Sequence, residues 1–158
     1  MVKVVVIGSI SMDLVVTSTV RPGVGETVLG ESFVTVPGGK GANQAVAAAR
    51  LGAEVHMVGC VGDDYYGQLL IENLKSNGVH TKFVNSVTDI KTGTAHIILS
   101  DEDNSIVVVK GANNCVTPQY VEGAIEIIKA ADIVMIQQEI PFETIEYVCH
   151  ICSNYAIP

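Results

Sequence analysis

The most unusual segment of the sequence is a glycine-rich stretch at the start of an alanine-rich helix pattern. Residues 37–45 read PGGKGANQA. Gly39 and Gly41 allow close backbone approach, and the first turn of a helix offers unpaired N–H groups. Lys40 and Asn43 add side-chain donors that could hold hydroxyl or anionic oxygens. The stretch therefore predicts a ligand site, whereas a plain tight loop would need only the adjacent glycines.

Two common glycine motifs do not fit this stretch. A Walker A loop needs Ser or Thr after its lysine to hold magnesium, and Gly41 stands there instead. A dinucleotide fingerprint follows the first strand of its unit and ends in a third small residue. Here the loop follows a β-ribbon pattern, and Gln44 occupies the third place. Both interpretations are therefore weak.

A Cys-x-x-Cys pair near the end of the chain could suit zinc or redox chemistry. Cys149 and Cys152 enclose His150, but both cysteines fall on the apolar stripe predicted for the last helix. No second ligand pair accompanies them. The four cysteines are also too few and too irregular for a disulfide scaffold. We predict buried structural thiols in the reduced state and no metal site.

The elements that must position these residues alternate between short β-branched runs and amphipathic helices, which predicts an α/β fold. The consecutive apolar residues 4–7 predict that 2–8 is a strand buried on both faces in a parallel sheet. Further strands are expected over 54–61 and 132–137. Helices are expected over 42–51 and 65–77, and from Pro118 and Pro141 onward.

Two β-ribbons interrupt the α/β alternation. The first comprises strands over 13–19 and 26–36, and the second comprises strands over 94–100 and 105–110 around a polar turn at 101–104. The last helix has no following strand to which a crossover would return the chain. We therefore expect residues 1–158 to be the amino-terminal part of one larger domain. Its mostly parallel central sheet would carry a small β-sheet lid near 13–36 and 93–110.

Composition narrows the function classes. The hydrophobic fraction of 48% with 16% charged residues excludes global disorder. Nine basic against 17 acidic residues give a net charge of −8, which disfavours a nucleic-acid partner. No apolar run is long enough for a signal peptide or a membrane span. A cytoplasmic protein with no membrane partner is the expectation.

The stretch from Gly38 to Gly62 resembles the amino-terminal signature of the ribokinase family of sugar and nucleoside kinases. The resemblance rests on small residues and one asparagine at characteristic spacing: Gly38, Gly39, Gly41, Asn43, Ala45, Gly52 and Gly62. The residues beside the glycines differ from those usual in fructokinases and adenosine kinases. The resemblance covers the whole chain, from the opening strand with Gly8 to the pair Gln138 and Glu139.

The resemblance implies ATP-dependent phosphorylation of D-ribose to ribose 5-phosphate, with Mg²⁺ as cofactor and a monovalent cation left open. It places Asp13, Gly39, Lys40, Asn43 and Glu139 on the sugar. Asp13 would accept hydrogen bonds from vicinal hydroxyls. The nucleotide site and the catalytic base would lie outside this chain, which alone would be inactive.

Other implications concern the ribbons. Alternation along the second ribbon would place Ala95 and Ile97 over the sugar as apolar cover, and core packing suits both residues equally well. The resemblance also implies a homodimer formed through the β-lid.

Two positions depart from the family pattern. Ser11 stands where the family usually has Asn, so this candidate sugar-binding residue could change sugar affinity or choice. Gln138 occupies a usually apolar position. Three alternatives stay open: a non-catalytic sugar-binding or dimerisation module, a kinase for another pentose or a nucleoside, and a nicotinamide-dependent oxidoreductase.

Overall fold

The structure is a computed structural model that describes residues 1–100 and 103–158. Strands are found at β1 Lys3–Ile7, β2 Ser11–Thr17, β3 Ser32–Gly38, β4 Glu54–Gly62, β5 His80–Val87, β6 Gly93–Leu99, β7 Asn104–Val109 and β8 Ile133–Ile136. Helices are found at α1 Lys40–Arg50, α2 Tyr65–Ser76, α3 Pro118–Glu122, α4 Ile125–Lys129 and α5 Phe142–Asn154, and a 3₁₀ helix spans Gly111–Cys115. In this described part, no helix is long and apolar enough to cross a membrane.

The first sheet has the order β5-β4-β1-β8, and all its strand pairs are parallel. Successive β1 residues are buried because helices cover both faces of the sheet. Val4 and Val6 pack in a core shared with α1 and α2. Val5 and Ile7 pack in a second core shared with α3, α4 and α5. The expected α/β architecture with a parallel central sheet is confirmed.

The second sheet has the order β3-β2-β6-β7. The β2–β6 pair is parallel, and the two outer pairs are antiparallel. The two ribbons expected from the sequence therefore form one sheet, because β2 of the first hydrogen-bonds to β6 of the second. The polar turn expected at 101–104 falls in part outside the described residues, at positions 101 and 102.

Three local features differ from expectation for identifiable reasons. The strand expected over 26–36 begins only at Ser32, because Ser32 pairs with Thr17, the last residue of β2, and the residues before Ser32 have no β2 residue left to pair with. The helix opened by Pro118 is split into α3 and α4 at Gly123, where Ala124 N bonds to Val121 O with i−3 spacing. Strand β5 was not foreseen, since its mixed polar sequence lies at a sheet edge.

The prediction that Cys149 is buried is wrong. The residues that α5 buries are Thr144, Val148 and Ile151, whereas Cys149 is exposed and Cys152 is half-buried. Thr144 sets this rotation of the helix, because its hydroxyl donates to Val116 O at 2.7 Å in the interior. All four cysteines have free thiols.

The junction between β4 and α2 is held by one carboxylate. Asp64 caps α2 by accepting from Gly67 N at 2.9 Å, and it also accepts from Thr92 N at 2.9 Å and Thr92 Oγ1 at 2.7 Å. Burial opposes ionisation of Asp64, but these hydrogen bonds outweigh it and lower the pKa of the carboxyl. The cap thus ties the first sheet to the segment that enters β6.

Replacing Asp64 by alanine is expected to lower the free energy of unfolding by about 1 to 2 kcal/mol, because the α2 cap and its bonds to Thr92 are lost together. Urea denaturation measures this, with exposed Asp63→Ala as the neighbouring control. The lowered pKa means that the contribution is complete above the ordinary aspartate range near pH ~3.9 and disappears as the pH falls through the folded-state pKa. A difference between wild type and Asp64→Ala that persists unchanged in strong acid would contradict this account.

Candidate functional site

A cavity of about 400 Å³ lies where β1 and β8 end, next to one face of the second sheet. Its polar lining consists of Ser9, Ser11, Asp13, Lys40, Asn43, Lys110, Asn113 and Glu139, with Gly39 beside them. Its apolar wall consists of Ala95, Ile97, Ile106 and Val108 from β6 and β7. All the candidate residues of the sequence analysis are therefore brought together at one site. The carboxyl ends of parallel strands are a common position for ligands.

The glycine-rich stretch packs its backbone directly against the loop that follows β1. Gly39 has φ +92°, and a Cβ there would lie 2.8 Å from Ser9 O. A Cβ on Gly41 would lie 2.7 Å from Ser9 N. The first turn of α1 is joined to the loop by the hydrogen bond from Ala42 N to Ser9 O at 2.9 Å. Only glycine allows this approach, which carries Lys40 and Asn43 to the cavity.

Asp13 lies in β2, on the face of the second sheet that borders the cavity. A Cβ on Gly38 would lie 2.5 Å from the carboxylate, so the absence of a side chain there makes room for Asp13. Burial raises the pKa of Asp13, the nearby Glu139 carboxylate raises it further, and Lys40 lowers it in part. Within the part of the chain that the structure describes, the Asp13 carboxylate forms no side-chain hydrogen bond or ion pair that would offset its burial.

Glu139, in contrast to Asp13, accepts three hydrogen bonds at the cavity. Its Oε1 forms an ion pair with the Lys40 ammonium, and its Oε2 accepts from Lys40 N at 3.1 Å and from Ser9 Oγ at 2.5 Å. Burial opposes ionisation, but the hydrogen bonds from Lys40 and Ser9 prevail, so the pKa of Glu139 is lowered. The pKa of Asp13 is thus raised, and the pKa of Glu139 is lowered.

Ser9 and Asn113 line the cavity but were not among the predicted residues. Asn113 is buried: its Oδ1 accepts from Ile10 N at 2.9 Å, and its Nδ2 donates to Ile10 O at 3.0 Å and to Ser11 Oγ at 3.2 Å. The position of Ser9 directly after β1 could have identified it. Nothing in the sequence near Asn113 signals that its side chain supports a loop about a hundred residues earlier.

The arrangement suits a small ligand with several hydroxyl groups. Asp13 and Glu139 offer acceptors, Lys40 and Asn43 offer donors, and Ala95 and Ile97 offer an apolar surface of the kind a sugar ring packs against. Among the described residues, the group whose side chains cluster closely enough to hold a metal ion lies elsewhere in the molecule. The residues at the cavity therefore fit a polyhydroxyl ligand and do not by themselves fit a Mg²⁺ site.

Comparisons with known proteins find relatives that are similar in sequence and in fold. A ribokinase from Bacillus subtilis is 63% identical over 156 residues, which cover 99% of this chain and 53% of that protein. A ribokinase from Lactococcus lactis is 50% identical, with 99% and 52% covered. The solved structure of Arabidopsis thaliana ribokinase complexed with ribose and ATP matches with a TM-score of 0.88 at 36% identity, covering 99% of this chain and 51% of that one.

The chain thus spans about half the length of the curated relatives it matches. The family model described as pfkB family carbohydrate kinase matches residues 1–157. The chain therefore belongs to the pfkB family of carbohydrate kinases.

Proposed function

We propose that this chain supplies the sugar-binding half of a kinase that transfers a phosphoryl group from ATP to D-ribose and forms ribose 5-phosphate. The observation that carries the proposal is the convergence of Asp13, Lys40, Asn43 and Glu139 on one cavity with an apolar wall. The relatives named ribokinase support the choice of ribose, as does the related structure described as complexed with ribose and ATP.

The acceptor and donor groups divide the work of holding the sugar. Asp13 has no hydrogen bond or ion pair of its own among the described residues, and burial disfavours its charge, so it gains most from accepting sugar hydroxyls. Lys40 can donate to the sugar while it remains paired with Glu139, since an ammonium has three donors. Ser11 Oγ accepts from Asn113, so its own proton is free to point toward the ligand.

The phosphoryl donor and its Mg²⁺ belong to the rest of the proposed enzyme. In-line transfer of a phosphoryl group requires a nucleotide site, a metal that neutralises developing charge and a base for the attacking hydroxyl. The described cavity residues offer a sugar site without a third metal ligand. We assign the nucleotide, Mg²⁺, any monovalent cation and the catalytic base to protein outside this chain.

A homodimer formed through the second sheet, acting as a lid, is the second part of the proposal. The sheet face that borders the cavity carries exposed apolar residues on its two outer strands: Val34 and Val36 on β3, Ile106 and Val108 on β7. Small sheets with an uncovered apolar face gain stability from a partner surface. A second copy of the same sheet would cover these residues and the cavity edge together.

The proposal is tested by ribose-dependent ADP formation in the full-length protein that contains this chain, compared with other pentoses and nucleosides. We expect ribose to be the preferred acceptor, and we expect the 158-residue chain alone to give no ADP, because the base and nucleotide site are missing. A full-length protein that binds ribose without turnover would favour a non-catalytic binding module. Preference for a nucleoside would replace the substrate assignment.

Asp13→Ala in the full-length protein is expected to raise the ribose KM by about tenfold or more, because hydrogen bonds to a charged acceptor contribute roughly 1.5 to 3 kcal/mol each. Asp13→Asn should lose less, since it keeps the shape and one acceptor oxygen. Steady-state kinetics measure both, with ATP affinity determined without sugar and Asp63→Ala as the control. Unchanged ribose kinetics in Asp13→Ala would remove Asp13 from the site, and equal loss of ribose and ATP binding would indicate misfolding.

Val34→Glu in the full-length protein is expected to convert the proposed dimer to a monomer, because it places a charge on the exposed apolar face of β3. Val107→Glu is the matched control, since Val107 is also exposed but lies on the opposite face of the same sheet. Sedimentation velocity distinguishes the two species. A Val34→Glu protein that sediments like the wild type would rule out this interface.

A further inference from the structure

A cluster of two imidazoles and one carboxylate lies in the first sheet, at the ends of the strands that are far from the cavity. Glu54 and His56 belong to the start of β4, and His80 is the first residue of β5. One ligand atom from each residue lies within 4.8 Å of those from the other two. The cavity adjoins the carboxyl ends of β1 and β8, which run parallel to β4. The cluster lies at the opposite, amino-terminal ends of the strands.

An irregularity in the pairing of β4 with β5 creates the cluster. His56 pairs with His80, but the next matched pair is Val58 with Phe83, so β5 holds one extra residue between the two pairs. In a regular ladder counted back from Phe83, Thr81 would stand opposite His56. The bulge therefore puts an imidazole where a hydroxyl side chain would otherwise be. Bulges commonly re-aim a side chain in this way.

We propose that Glu54, His56 and His80 bind a divalent transition-metal ion, with Zn²⁺ as the best fit. Two imidazole nitrogens and one carboxylate oxygen are a ligand set that Zn²⁺ accepts, with water in the fourth position. Oxygen-preferring ions such as Mg²⁺ and Ca²⁺ match a set with two nitrogen donors less well.

The local contacts leave these ligands available. Within the described part of the chain, Glu54 has no lysine or arginine at ion-pair distance, and its near neighbour is His56 Nε2 at 3.4 Å. His56 Nδ1 is buried and has no hydrogen-bond partner among the described residues. The contact of His56 Nε2 with Glu54 is also long for a hydrogen bond, so coordination of a cation through Nε2 would displace only one weak contact.

Binding requires only a small rearrangement. The two imidazole rings are stacked, with centroids 4.6 Å apart and an angle of 22° between their planes. The nitrogen lone pairs therefore lie in nearly parallel planes and do not point at one common position. His80 is exposed and can turn about its side-chain bonds without loss of core packing. The bound ion would then link β4 to β5, which is an edge strand in the described part of the first sheet. This position predicts that the ion stabilises the fold and does not take part in sugar chemistry.

The test is calorimetric titration with Zn²⁺ of the untagged full-length protein that contains this chain. Cys149→Ser serves as the parent for all variants, because the exposed Cys149 thiol beside His150 could bind zinc independently. Its variants are His80→Ala and Glu54→Gln at the proposed site and His150→Ala as the control, since His150 is an exposed histidine on α5. Thermal melting of each protein with and without Zn²⁺ provides the second measurement.

We expect one Zn²⁺ per parent chain, at least about tenfold weaker binding in His80→Ala and Glu54→Gln, and unchanged binding in His150→Ala. Zn²⁺ should raise the melting temperature of the parent and of His150→Ala, and the rise should disappear in His80→Ala. Because His80 is exposed, its replacement should leave the metal-free melting temperature nearly unchanged. Parent affinity weaker than about 1 mM, or His80→Ala affinity equal to that of the parent, would overturn the proposal.

Discussion

The contact between the loop after β1 and the first turn of α1 is the constraint on which the candidate site depends. Gly39 and Gly41 let the helix backbone approach Ser9 so closely that no Cβ could be accommodated at either position. The same contact places the Lys40 backbone N–H and ammonium beside Glu139. Glu139 follows β8, the strand that neighbours β1 in the first sheet. One backbone approach thus joins charged groups that are about a hundred residues apart in the sequence.

The electrostatic balance of the cavity follows from that geometry. Lys40 pairs with Glu139, and this leaves Asp13 as a carboxylate whose pKa is raised by burial and by the nearby negative charge. A neutral hydroxyl ligand suits such a site better than an anion, because it can donate to Asp13 without adding charge. The site is therefore matched to an uncharged polyol, although its lysine alone would suggest an anion site.

The sequence was a good guide to the parallel sheet, since the consecutive apolar residues of β1 are typical of a strand buried on both faces. The resemblance led to six residues that line the cavity: Ser11, Asp13, Gly39, Lys40, Asn43 and Glu139. What the sequence did not indicate was contact between distant segments. The β2–β6 pairing unites the two ribbons through backbone hydrogen bonds, which have no residue signature. The Asn113 side chain likewise bonds to the backbone of Ile10, so no residue type in the loop reveals this contact. The face of α5 that is buried includes Thr144, whose hydroxyl bonds to Val116 O. A prediction from hydrophobic spacing would place this polar residue on the surface.

The second sheet links the proposed sugar site to the proposed subunit contact. Asp13 pairs with Val36 on one side and with Ala95 on the other. This proposed sugar-binding carboxylate therefore lies between an exposed apolar edge and the cavity wall, on the same face of the sheet. The alternation of side chains leaves Leu14, the next β2 residue, to pack in the core shared with α1 and α2. A displacement of the sheet would therefore move Asp13 and strain that core at once. Association that holds β3 and β7 in place would consequently also hold Asp13 in the position from which it faces Lys40 and Glu139.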